Sequence, residues 1–272
     1  MGGSAGEPSS FQEREGRNNH PARGEESPTV EDPSAAGSVL GCCKMWESSP
    51  HQRGGARAIA FVLLALLGAG AVATGVAAAQ YPGGTWMDRS APGHSFWGNF
   101  LCDIARDPAL DGSPHPGAPW GRAAEWALVM ALGLFFWVAP ALVEPLRRRW
   151  TIRLLGAVAT LGLVLVPVTS GVPHALALIA GAGPGFAATV LVLRGLRHRP
   201  VLWRLGALAL ALSGLELALF LGFHERFGAR TVPLAVPAVQ RLAVLAAVAW
   251  MAGCAMAVLR ARPARADPAS AI

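Results

Sequence analysis

Charge is scarce in this chain. Asp, Glu, Lys and Arg make up 15% of its 272 residues, while hydrophobic residues make up 53%. An ordinary soluble domain carries about 25% charged residues, so a soluble fold is excluded. Cysteine is scarcer still. Of Cys42, Cys43, Cys102 and Cys254, only Cys102 falls in a segment read as external. It has no external partner, so no disulfide framework is implied. Cys42 and Cys43 lack a partner histidine for a zinc site. Other signatures are missing too. No apolar segment precedes Leu40-Gly41-Cys42, which excludes a lipoprotein leader. The first apolar stretch follows a long polar one and exceeds the about 7–15 residues of a signal h-region, so it is not a cleavable signal. There is no Gly-x-Ser-x-Gly elbow and no His-Glu-x-x-His zinc pair.

What the chain has is length of apolar sequence. Six stretches can be read, at 57–79, 123–143, 152–170, 173–193, 202–223 and 236–259. At about 1.5 Å per residue each crosses a hydrocarbon core of about 30 Å. The predicted fold is all-α, a polytopic membrane bundle of six transmembrane helices. Arginine alternates from side to side along it. Arg53 and Arg57 precede the first span, and Arg147, Arg148, Arg149 and Arg153 join the second to the third. Arg194, Arg197, Arg199 and Arg204 join the fourth to the fifth, and Arg260, Arg262 and Arg265 follow the sixth. The positive-inside rule then predicts both termini in the cytoplasm and an external loop at 80–122.

The net charge is +6 and the pI 10.1, but these arginines sit at span ends and form no stripe, so nucleic acid is not an expected partner. Residues 1–56 are polar and aperiodic and read as a disordered cytoplasmic tail, with Met45 as an alternative start. Residues 261–272 read as a short cytoplasmic C-terminal tail.

Within the spans three features stand out. Ala71, Gly75 and Ala79 recur at every fourth position of the first, a face that lets another helix approach closely. Against homo-oligomerisation through it stands chance, in a chain rich in alanine. Pro184, amid Gly181, Gly183 and Gly185, predicts a kink or an unwound turn in the fourth span. Glu216 and Arg241 lie about 10 Å and about 7–8 Å from the external ends of the fifth and sixth spans. Antiparallel neighbours at matched depth predict an ion pair, since an unpaired charge there costs several kcal/mol.

In the external loop, Ser95 is placed to cap a short interfacial helix ending before Pro108. Trp97, Phe100, Leu101 and Ile104 share its apolar face, opposite Asn99, Asp103 and Arg106. External histidines are His94, His115, His174 and His224. With Asp103 and Glu225 they offer metal ligands or an acid and a base. His174, His224 and Asp103 are the metal candidates, but the spacing is not diagnostic and span-end histidines are the commoner reading. No cofactor is expected.

Three segments carry a family likeness. His94-Ser95-Phe96-Trp97-Gly98-Asn99-Phe100-Leu101-Cys102-Asp103 resembles the S-x-x-x-N-x-x-S-D-L sequence after the first span of a bacterial six-span family of unknown function. His174-Ala175-Leu176-Ala177 and Gln240-Arg241-Leu242 followed by Trp250 resemble it too. That family is grouped with the FRAG/DRAM/SFK superfamily, and the resemblance covers about residues 57–260. Cys102 and Ile104 stand where serine and leucine are common. The resemblance implies a multi-pass protein concerned with lipid remodelling, lipid organisation or membrane trafficking, with Asn99, Asp103, His174, Gln240 and Arg241 at family positions. It supplies no catalytic set.

The expected function is therefore a non-enzymatic integral membrane protein of a bacterial inner membrane. It meets lipid or a partner through one outward-facing polar site, with Asn99, Asp103, His174, Glu216, Gln240 and Arg241 as its candidates. A membrane-embedded metal-dependent lipid hydrolase and a small-solute transporter are the alternatives.

Overall fold

A computed structural model describes residues 50–143, 146–169, 171–226 and 233–261. The polar tail at 1–49 and the C-terminal tail from 262 lie outside these residues, and so do the side chains of His224 and Glu225. Six long helices account for the fold: α1 Pro50–Ala79, α2 Ala118–Val138, α3 Leu146–Leu163, α4 Gly171–Gly195, α5 Pro200–Arg226 and α6 Ala235–Arg260. Short 3-10 turns lie at Leu101–Ala105, Ala139–Leu142 and Val166–Val168. Among the described residues the only β-type pairing is an isolated bridge between Gly83 and Pro92. All six helices are long and apolar enough to cross a membrane. Helix is the expected outcome, because a spanning segment must satisfy its own backbone polar groups. These helices mark a multi-pass membrane protein.

Three helices depart from the expected bounds. α1 begins at Pro50, ahead of 57. α2 begins at Ala118, so the external connection is shorter than 80–122 and Arg122 is helical. α3 runs Leu146–Leu163 against the expected 152–170, its end replaced by the 3-10 turn Val166–Val168. Polar first turns extend helices beyond their apolar stretch, and hydropathy alone does not register them.

The helices pack mainly as successive hairpins, α1 with α2, α3 with α4 and α5 with α6, and α6 returns to α1. The large buried side chains, including Leu63, Phe135, Phe136, Ile152, Val192, Leu196 and Met251, form one core. Phe135 stands 4.8 Å from the Trp250 ring. At one end of the bundle the arginines close helix termini. Arg57 Nη2 donates to the Leu259 carbonyl at 2.7 Å, and Arg149 Nε to the Val143 carbonyl at 2.6 Å. The start of α1 and the end of α6 therefore share this arginine end.

Glycine sets two close approaches. A Cβ on Gly162 of α3 would lie 2.6 Å from the Gly181 backbone nitrogen of α4. One on Gly206 of α5 would run into the Trp250 indole of α6. α4 continues through Pro184 as helix, so the expected unwound turn is absent. Proline is accommodated in membrane helices where neighbours meet the freed backbone groups.

Ala71, Gly75 and Ala79 are exposed on the outside of the bundle, and nothing lies within 4 Å of a Cβ on Gly75. The small residues that α1 turns inward include Ala60, Ala73 and Ala77, together with Gly70, where a Cβ would lie 3.3 Å from Ala127 Cβ.

Candidate functional site

The connection from α1 to α2 folds over the end of the bundle opposite the arginines. It carries most of the buried polar side chains: Thr85, Asn99, Asp103 and His115, joined from the helices by Glu125 and Arg241. A connection this irregular leaves its own N–H and C=O groups unpaired, and buried groups of that kind need partners. The buried side chains supply them.

Asn99 is 0% exposed. Its Oδ1 accepts from the Ser95 N–H at 2.9 Å, and its Nδ2 donates to the Gly84 carbonyl at 2.8 Å. It thus joins two passes of the loop. Gly84 has φ +88°, and a Cβ there would lie 2.5 Å from the Asp111 nitrogen, so glycine is required.

Asp103 is 1% exposed. One oxygen accepts from the Phe100 N–H at 2.8 Å. Trp86 Nε1 donates to both oxygens at 3.1 Å. Burial holds this carboxyl above its usual range, against the lowering effect of those bonds. Arg89 and Arg106 stand over the Trp86 ring, 4.8 Å and 5.9 Å from its centroid.

The expected interfacial helix is thus a different object. Ser95 Oγ accepts from Gly98 N–H at 3.0 Å and closes a turn, and the helical part is the 3-10 segment Leu101–Ala105. The predicted faces are partly reversed. Asn99 and Asp103 point inward, while Trp97 is 47% exposed. An amphipathic reading assigns polar groups to water, and here they are consumed by backbone.

His115 faces two carbonyls, Arg106 O at 3.0 Å from Nδ1 and Ala77 O at 3.2 Å from Nε2. The second belongs to the last turn of α1, where the Gln80 N–H reaches the same carbonyl at 3.3 Å. Tyr81 stands edge-on to His94 and His115. Its hydroxyl accepts from the Leu110 N–H at 3.2 Å, and burial pushes its pKa up to about 12.

α6 contributes two adjacent residues. Gln240 Oε1 accepts from the Leu101 N–H at 2.7 Å, and its Nε2 donates to Glu216 Oε1 of α5 at 3.4 Å. Arg241 is 4% exposed. Its Nη2 donates to His94 Nε2 at 3.1 Å, Asn99 O at 3.3 Å and Phe100 O at 3.4 Å. Its Cζ lies 5.3 Å from the Phe96 ring centroid. Guanidinium has no acceptor, so His94 Nε2 must accept and its proton sits on Nδ1. Burial, and then Arg241, lower the His94 pKa to about 4, so the ring is neutral at pH 7.

The expected Glu216–Arg241 ion pair is therefore not formed. Consecutive helical residues point about 100° apart. Gln240 takes the direction of α5, which leaves Arg241 facing the loop. Four of the expected site residues, Asn99, Asp103, Gln240 and Arg241, come together, and Glu216 joins through Gln240. His174 does not join by any contact. Its Nδ1 pairs with the Val166 carbonyl at 3.1 Å, in the turn preceding its own helix. Among the described residues no three His, Cys, Asp or Glu side chains converge as metal ligands.

Glu125 of α2 is the residue that sequence reasoning passed over. It is 8% exposed. No described residue hydrogen-bonds its carboxyl, while Arg122 and Asp103 act on it electrostatically. A lone acid inside the predicted span 123–143 was signal enough to find it.

No family model, curated protein or solved structure matches this chain.

Proposed function

We propose that this chain is a non-enzymatic multi-pass membrane protein that binds lipid through the polar site beneath the 80–117 loop. The arginine end then faces the cytoplasm by the positive-inside rule, and the membrane is a bacterial inner membrane. The observation that carries the reading is Arg241, a buried guanidinium at the loop-covered end of α6, held by a neutral imidazole and two backbone carbonyls. Side chains buried for packing alone do not include arginine, and an intramembrane ionisable residue marks a functional site by default.

The test is a lipid inventory of protein extracted in mild detergent. Native mass spectrometry should find lipid retained by the wild type and depleted in Gln240→Leu, which frees Leu101 N–H from α6. Lipid-free wild-type protein would refute the reading.

A further inference from the structure

The guanidinium of Arg241 is incompletely used. All three of its hydrogen bonds leave from Nη2. Its Nε is buried without a partner, and no described residue accepts from Nη1. Each group in contact with it, the His94 ring, two carbonyls and the Phe96 face, is uncharged at pH 7. Asp103 acts on it only at a distance, its oxygens facing Phe100 N–H and Trp86 Nε1. Glu216 is turned toward Gln240. One full positive charge thus sits in a low-dielectric setting with a buried, unpartnered Nε and no contacting counter-charge. Burial of that kind costs several kcal/mol unless an anion completes it.

We propose that Arg241 is the recognition residue for an oxyanion, the phosphodiester of a lipid headgroup with net negative charge. The inference rests on the proposed lipid-binding role and adds the headgroup class. Phosphate oxygens accept the charge-assisted hydrogen bonds that guanidinium donates. Depth favours a lipid source: Arg241 lies six residues into α6, about 9 Å along it, within reach of headgroups. Net charge decides among lipids. A zwitterionic headgroup brings its own cation into a site that already holds one, whereas an anionic headgroup neutralises it. Phe96 covers one face of the guanidinium and is itself exposed, so the headgroup enters beside it.

The experiment uses the full chain in detergent, titrated with phosphatidylglycerol, with phosphatidylcholine and with inorganic phosphate, each read by thermal shift and native mass spectrometry. A preference for phosphatidylglycerol of tenfold or more is expected. Arg241→Gln should lose the preference, Arg241→Lys should keep part of it, and Arg204→Gln at the arginine end should leave it intact. Stabilisation by inorganic phosphate alone, lost in Arg241→Gln, assigns the same oxyanion site to a free anion. Equal binding of both lipids by the wild type, with no response to phosphate, overturns the proposal and leaves lipid binding standing. Failure of every ligand to bind the wild type overturns both. The wild-type comparison decides even if Arg241→Gln does not fold.

Discussion

Gln240 Oε1 takes the backbone N–H of Leu101 at 2.7 Å, although 139 residues separate them in sequence. The bond ties the 3-10 turn of the loop to the last helix. The same side chain reaches Glu216, so one amide joins the loop, α5 and α6. Gln240→Leu should release the turn with α6 intact. Limited proteolysis is expected to cut near Arg106 several times faster in the variant, with circular dichroism unchanged.

Asn99→Leu keeps the volume and removes both loop bonds. The Ser95 N–H and the Gly84 carbonyl are then buried without partners, at about 1–3 kcal/mol each. A stability loss of about 2–5 kcal/mol is expected by denaturant titration in micelles. A loss under 1 kcal/mol would show that water replaces the amide.

His94 makes stability depend on pH. In the unfolded chain its imidazole titrates near 6.5, and in the fold near 4. Between those values the unfolded state holds the extra proton, so stability falls as pH falls from 6.5 toward 4. Asp103, raised by burial, acts in the opposite sense over the carboxylate range. The His94 contribution is the difference between wild type and His94→Gln, whose amide oxygen still accepts from Arg241. Melting curves of the two should lie close at pH 7.5 and part toward pH 4.5, with the wild type falling further.

Two glycines should part company. Gly206→Ala drives a methyl into the Trp250 indole and is expected to cost about 1–3 kcal/mol, as overpacking does. Gly75→Leu meets open space and should leave the monomer fold unchanged. A change in oligomeric state for Gly75→Leu, read by light scattering, would assign a partner helix to that face.

Gly121 of α2 lies under the loop. A Cβ there would overlap the Ile104 carbonyl, with the Ala105 nitrogen 2.7 Å away. Gly121→Ala should lift the 3-10 turn and change the fluorescence of Trp86, whose indole is anchored to Asp103 in that turn.

The helices were legible in the sequence because a bilayer admits few spanning structures and apolar length reports them directly. The convergence of Asn99, Asp103, Gln240 and Arg241 was legible as polar residues gathered at one end. Which way they point was not. Helical periodicity placed Asn99 and Asp103 toward water, yet the irregular loop consumes them as backbone partners, and periodicity carries no term for that demand. The pairing of Glu216 with Arg241 failed for a related reason. Depth along two helices was matched correctly, but the rotation that gives Gln240 to α5 depends on packing. Glu125 went unread although its isolation in an apolar span was plain.

The clasp of Arg57 on the Leu259 carbonyl has a consequence for biogenesis. α1 waits for α6 across four intervening helices, so this contact can form only after all of them have been made. Until then the inner flank of α1 must be sheltered by lipid or by the insertion machinery. Chains halted before α6 should be cleared by quality control even though five helices are already in place.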